Sequence, residues 1–159
     1  MVRTVLHGKA ETIARVEAEF RALDRAVRRL GRNGLEAPVP GFGARARIKR
    51  ERWRRKDALA HIVEWKRQQL RALRREPSDP ALRGLRLHEK NALFFRRWHA
   101  RTAADVTAYH RAVGREIRRA MRALPAEYYA KRVSPQWPND LVGHSAEHRR
   151  RHLEPARQK

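Results

Sequence analysis

The chain has 159 residues, in which 39 Lys and Arg stand against 17 Asp and Glu for a formal charge of +22. That length suits one domain over residues 1–159, its core over about 9–154, able to bury apolar side chains without a covalent staple. Cysteine is absent, which excludes disulfides, thiolate metal sites and a protein thiol nucleophile together.

The amino-terminal run Met1-Val2-Arg3-Thr4-Val5-Leu6-His7-Gly8 holds no apolar stretch of signal-peptide length. No segment approaches the roughly 20 apolar residues of a membrane span. The expectation is a soluble cytoplasmic protein with no membrane partner. The positive charge attracts polyanions and makes nucleic acid a candidate partner with salt-dependent affinity. The alternative is a set of arginines spread over solvated helix faces, since the basic residues are scattered and no DNA-reading motif accompanies them.

From about Lys9 to Leu30, Ile13, Val16, Phe20, Leu23, Val27 and Leu30 recur at steps of three and four, which predicts one amphipathic helix. Gly31 and Gly34 supply its stop signal. Residues 32–48, with Gly34, Pro38, Pro40, Gly41 and Gly43, read as a long loop and a candidate active-site rim. A second helix is expected from about Trp53 to Arg75 with Leu59, Ile62, Val63, Leu70 and Leu73 inward, ended by Pro77-Ser78-Asp79-Pro80. A shorter amphipathic segment follows from about Leu85 to His99, bearing Leu87, Leu93, Phe94, Phe95 and Trp98. Thr102 and Asp105 have the spacing of a capping box. The helix they open carries Val106, Tyr109, Val113, Ile117, Ala120 and Leu124 and closes at Pro125. Residues 130–138 are irregular, and Asn139 or Asp140 can cap a last helix to about Leu153. No alternation of strand type is sustained. The expected fold is all-α, a four-helix bundle with one long crossover connection.

Two segments carry chemistry. One is Trp53, Lys56, Asp57, Leu59, Ala60, His61, Ile62 and Trp65 in the second helix; the other is Gly143 to His152 in the last. Residues four apart on a helix differ by only about 40° in direction, so His144, His148 and His152 form a stripe. An inward His61 can meet that stripe between facing helices. Three neutral imidazoles with an open position suit catalytic zinc or nickel. Each ligand imidazole usually needs its second nitrogen held. Asp57, four residues before His61, and Asp140, four before His144, are the candidate orienters. Against this stands chance, since eight histidines in a basic chain often fall four apart.

Other arrangements are weaker. Ser145 neighbours His144, but adjacent helix positions point apart. Gly41 and Gly43 lack the context of a phosphate-cradling loop. Glu64, Glu89 and Glu147 are possible bases with nothing to pair them. Phe94, Phe95, Trp98, Tyr128 and Tyr129 read as core rather than pocket lining.

The run Trp53-x-x-Lys56-Asp57-x-Leu59-Ala60-His61-Ile62-x-x-Trp65, then Asn91 ahead of Phe94-Phe95, then Trp137-Pro138 and the histidine-rich end resemble the DinB/YfiT-like superfamily and, within it, the ClbS/DfsB branch. The resemblance spans most of residues 9–154 and implies a four-helix bundle. It also implies a divalent metal on one histidine of the second helix and an H-x-x-x-H pair of the last, here His61, His144 and His148. The usual ending of the ClbS/DfsB branch falls instead on Glu147, His148 and His152, and this chain satisfies both registers. The implied activities are inactivation of a reactive, DNA-damaging electrophile and metal-dependent transfer of a small thiol. The loop at 32–48 and the basic surface depart from the family pattern. The candidate catalytic residues are His61, His148 and Asp57, and the candidate ligands His61, His144 and His148. The expected partners are a small-molecule substrate and nucleic acid, with the oligomeric state, a homodimer included, left open.

Overall fold

A computed structural model describes residues 6–39, 52–130 and 141–155. Helix α1 runs Lys9–Leu35, α2 Arg55–Leu73, α3 Leu87–Trp98, α4 Ala103–Ala123, α5 Ala126–Tyr129 and α6 Gly143–His148. A 3-10 turn at Pro80–Leu82 lies between α2 and α3, and α6 continues as a π-helical turn over Arg149–Leu153. The described chain is all-helical; its extended pairing is one isolated bridge between Pro38 and Arg54. Among the described residues no helix is long and apolar enough to cross a membrane.

The expected stripes are the buried faces. Val16, Phe20, Leu23 and Val27 of α1 meet Leu59, Ile62, Val63, Leu70 and Leu73 of α2 and Val106, Val113 and Ile117 of α4 in one core, with Ile13 and Leu30 at its margin. Helix α2 is central, packed most closely on α4 and also on α1, α3, α6 and the π turn. Every residue from Lys56 to Glu64 is buried. An element covered on all sides has no polar face to spare, so each of its polar side chains must be satisfied inside the protein.

Several boundaries differ from expectation. Gly31 does interrupt α1, with φ +60° and ψ −173°, a conformation that disfavours any side chain. The chain then regains a helical turn to Leu35, where 32–48 was expected to be loop throughout, because Leu35 enters the core. Residues 36–39 are held by Val39 N–H donating to the Trp53 carbonyl at 2.9 Å and Arg55 N–H to that of Ala37 at 3.0 Å. The rest of the expected rim, like Trp137-Pro138 and the cap candidates Asn139 and Asp140, lies outside the described residues. Helix α2 stops at Leu73, with Arg75 in the left-handed region at φ +54°. Leu87, expected inward, is 65% exposed at the first turn of α3. Pro125 opens the short α5 rather than only ending α4, and buries Tyr129, whose hydroxyl donates to the Met121 carbonyl at 2.5 Å.

The join between α2, α3 and α4 depends on Lys56. Its ammonium is 1% exposed and donates to the carbonyls of His99 at 2.5 Å, Arg101 at 2.6 Å and Trp98 at 3.4 Å, satisfying the end of α3. The Asp57 carboxylate lies 3.8 Å away and balances the charge. Lys56→Met keeps the stem and removes the cap. The expected loss is about 3 kcal/mol, since the carbonyls and Asp57 lose their cation. Urea unfolding of both proteins measures it; a loss below about 1 kcal/mol would show that water caps α3 as well.

Candidate metal centre

The site forms where α6 crosses α2. His61 sits at the middle of the buried face of α2 and is 5% exposed. His144 and His148, one turn apart on α6, face it from the other side and are half-buried. The His61 ring is centred 5.4 Å from that of His144 and 4.8 Å from that of His148, and the latter two lie 4.4 Å apart. One ring nitrogen from each of the three lies within 4.8 Å of the others. The expected ligand set His61, His144 and His148 is therefore brought together. His152 is outside it: its ring stacks on His148 at 5.6 Å with a 21° interplanar angle.

Trp65 stands 6.5 Å from both His61 and His144, and is held by donating its indole N–H to Asn91 Oδ1 at 3.2 Å. Trp53 meets His61 edge-on at 6.1 Å. The two tryptophans of the sequence motif are walls of the histidine cluster. Phe95 and Phe94 pack behind them, at 4.8 Å from Trp53 and 5.3 Å from Trp65.

Asp57 does not play its expected part. Its carboxylate oxygen Oδ2 accepts the Arg54 backbone N–H at 2.8 Å and lies 2.9 Å from His99 Nδ1, so it closes the start of α2 and binds the end of α3 rather than orienting His61. The competing partners are nearer in the geometry of a capping box, whose third residue turns back toward the helix start. Glu64 is also engaged, accepting from the Trp98 indole at 2.8 Å and from Arg97 at 3.5 Å. Glu89 accepts the Arg86 N–H at 2.6 Å as the cap of α3, and Glu147 is exposed. Asp140 lies outside the described residues.

Sequence reasoning missed the clamp that sets α6 against α1. Glu19, 6% exposed, accepts from Arg149 Nε and Nη2, both at 2.9 Å, and from Ser145 Oγ at 2.9 Å. Arg149 also reaches Glu154. Hydrogen bonds and attraction to Glu19 raise the already high pKa of Arg149. Residues 145 and 149 each follow a histidine of the site, so the clamp fixes the rotation of α6 that points His144 and His148 at α2. One signal was available, since Glu19 interrupts the apolar stripe of α1 between Val16 and Phe20. Nothing local marked its partners 126 and 130 residues away.

The donor chemistry fits a divalent ion. Burial lowers the pKa of His61 well below its usual value, and repulsion from His148, His144 and His152 adds to it. Burial likewise brings His144 and His152 to about 4, with His148 adding to each, and lowers His148. The rings are therefore neutral at pH 7, the form that binds metal. His144 Nδ1 is buried without a hydrogen-bond partner, as expected of a nitrogen reserved for another ligand. Zinc and nickel both accept imidazole nitrogen.

Compared with known protein families, with curated proteins and with solved structures, the chain matches none.

Two outcomes follow. Glu19→Ala leaves Arg149 buried without its bidentate partner and is expected to cost about 3–5 kcal/mol by urea unfolding; a cost below about 1 kcal/mol would refute the clamp. The histidines give a pH dependence of defined sign in metal-free protein. Their folded pKa values lie below the unfolded value of about 6.5. The unfolded chain thus takes up protons first, and stability is full above pH 6.5 and falls toward pH 4. A loss on the order of 3 kcal/mol by pH 4.5 is expected, the half-buried His144 and His148 contributing less than full burial would. His144→Asn flattens that slope; an unchanged slope would mean that other groups set it.

Proposed function

We propose that this protein is a DinB-type four-helix bundle that holds one divalent ion, zinc or nickel, on His61, His144 and His148 and inactivates a reactive electrophilic small molecule there. In this reading α1, α2, α4 and the α6 segment are the four helices, and the chain through α3 is the long connection. The observation that carries it is the convergence of one histidine of the second helix with an H-x-x-x-H pair of the last, in the register that the DinB resemblance implies. The ClbS/DfsB resemblance adds the biological sense, protection against a DNA-damaging electrophile in the cytoplasm.

When bound, the ion supplies Lewis acidity that makes water or a small thiol nucleophilic near neutral pH. The other contributions belong to the chain. His61, buried and neutral, holds the deep position, while the partial exposure of His144 and His148 leaves the cluster open toward solvent on the α6 side. Trp65, half-buried, offers a flat apolar wall on which an alkyl or aryl electrophile can lie, while the buried Trp53 backs His61 and limits water around it. The Glu19 clamp keeps the α6 histidines in place between turnovers.

The test begins with protein purified without a histidine tag, loaded with zinc or nickel and measured by calorimetry and elemental analysis. One ion per chain is expected, with at least about a 100-fold loss of affinity for His61→Ala and His144→Ala, and less than about a three-fold change for His152→Ala. Loaded protein is then offered an epoxide with and without a low-molecular-weight thiol, and adduct or diol is followed by mass spectrometry. Turnover abolished by His61→Ala and His148→Ala supports the reading. An empty site after loading, or equal turnover in wild type and both variants, removes it.

A further inference from the structure

A second surface lies on α4, away from the histidines. Arg115, Arg118, Arg119 and Arg122 fall at steps of three and four and so share one face of the helix. With Ala123 they line an open cleft of about 530 Å³. We propose that this face docks the phosphate backbone of duplex DNA.

The first argument is charge that is only partly compensated. Arg122 donates to Glu17 at 2.9 Å, and Glu116 on the same helix is drawn to Arg74 at 3.6 Å. Among the described residues no carboxylate lies within ion-pair distance of Arg115 or Arg119. Over the seven-residue step from 115 to 122, four guanidiniums span ~10.5 Å of helix, a mean spacing of ~3.5 Å. Phosphates along one strand of duplex DNA rise by ~3.4 Å each, a comparable spacing.

The second argument is order. Arg118 has its guanidinium carbon 4.6 Å from the centre of the Phe20 ring, whose position α1 fixes in the core. Gly114 makes room for the pair, since a Cβ there would come within 3.2 Å of Phe20 and 3.3 Å of Arg118. A stacked arginine loses less freedom on binding phosphate than a solvated one.

The chemistry of the face selects the partner. Protein interfaces need an apolar centre, and membrane surfaces need apolar side chains to insert. The large apolar residues exposed in the described chain, Leu6 and Leu87, are not on α4. Single-stranded nucleic acid is held by stacking on aromatic rings, and the lining of this cleft has none. Guanidiniums alone, in a cleft too open to enclose a small ligand, suit a rigid polyanion read by its backbone. The sequence offered only a diffuse positive charge; the fold gathers part of it.

Fluorescence anisotropy with a labelled 20-base-pair duplex tests this. Wild type should bind at 50 mM NaCl, with affinity falling at least ten-fold by 200 mM. Arg115→Ser/Arg119→Ser should weaken binding at least ten-fold and make the logarithmic salt slope shallower by about two. The control Arg83→Ser/Arg96→Ser removes the same charge from other exposed positions and should change affinity less than three-fold. Circular dichroism shows that each variant is folded. Absence of binding at 50 mM NaCl, equal losses in the two double variants, or tighter binding to poly-glutamate, single-stranded DNA or phosphatidylserine vesicles would overturn the proposal.

Discussion

The burial of α2 on every side from Lys56 to Glu64 is the constraint from which the rest of the structure follows. A helix in that position is normally apolar all round, and this one carries Lys56, Asp57, His61, Glu64, Lys66 and Gln69 inside. Each such group is costly unless partnered. Lys56 and Asp57 are satisfied by the end of α3, and Glu64 by Trp98 and Arg97. Lys66 takes another course. Its ammonium lies 3.9 Å over the Phe20 ring without a hydrogen-bond partner, and burial lowers its pKa to about 7. The ring attracts the charged form, while loss of the proton limits the cost of burial. Polar bonds of α2 from Lys56 to Glu64 thus orient α3, and Lys66 packs on α1.

His61 is the one polar residue of α2 whose neighbours are other bases. Three imidazoles at this spacing disfavour protonation of one another, so neutral rings are the state the fold selects. An ion held on the three would draw shared donation from these neutral rings. The clamp between Glu19, Ser145 and Arg149 then has a clear physical purpose. It fixes α6, a helix of six residues, by charge-assisted bonds where a short element has too little apolar surface to fix itself.

How much of this was legible follows from the range of each interaction. The stripes of α1, α2 and α4 were readable because helical periodicity is local, and so was the capping box at Thr102, where Asp105 N–H donates to the hydroxyl at 3.1 Å. The histidine set was readable as candidates from spacing and resemblance. The partner of Asp57 was not. The i,i+4 rule pointed to His61, whereas the carboxylate faces Arg54 N–H and a histidine 42 residues away. Glu64 looked unpaired for the same reason, since its partners arrive with α3. Leu87 shows the opposite error: periodicity assigned it inward, but it occupies a first turn that the core does not reach.

The two possible registers of the last helix show what sequence spacing lacks. His144, His148 and His152 are equally spaced, and on an ideal α-helix each would step the same angle around the axis. The α-helical ladder ends at His148, and the wider π turn begins at Arg149. Beyond that point the angular step changes, and His152 leaves the progression of the first two. The cluster reflects it: ring nitrogens of His61, His144 and His148 lie within 4.8 Å of one another, and His152 is outside that group. The same turn carries Arg149 to Glu19 and buries Leu153 in the core. A local widening of the helix therefore reconciles two demands on one short segment, the salt bridge to α1 and the histidine pair toward α2. π turns recur at functional sites because they re-aim side chains in this way. Equal intervals in the sequence become unequal roles in space, and only the first interval builds the cluster.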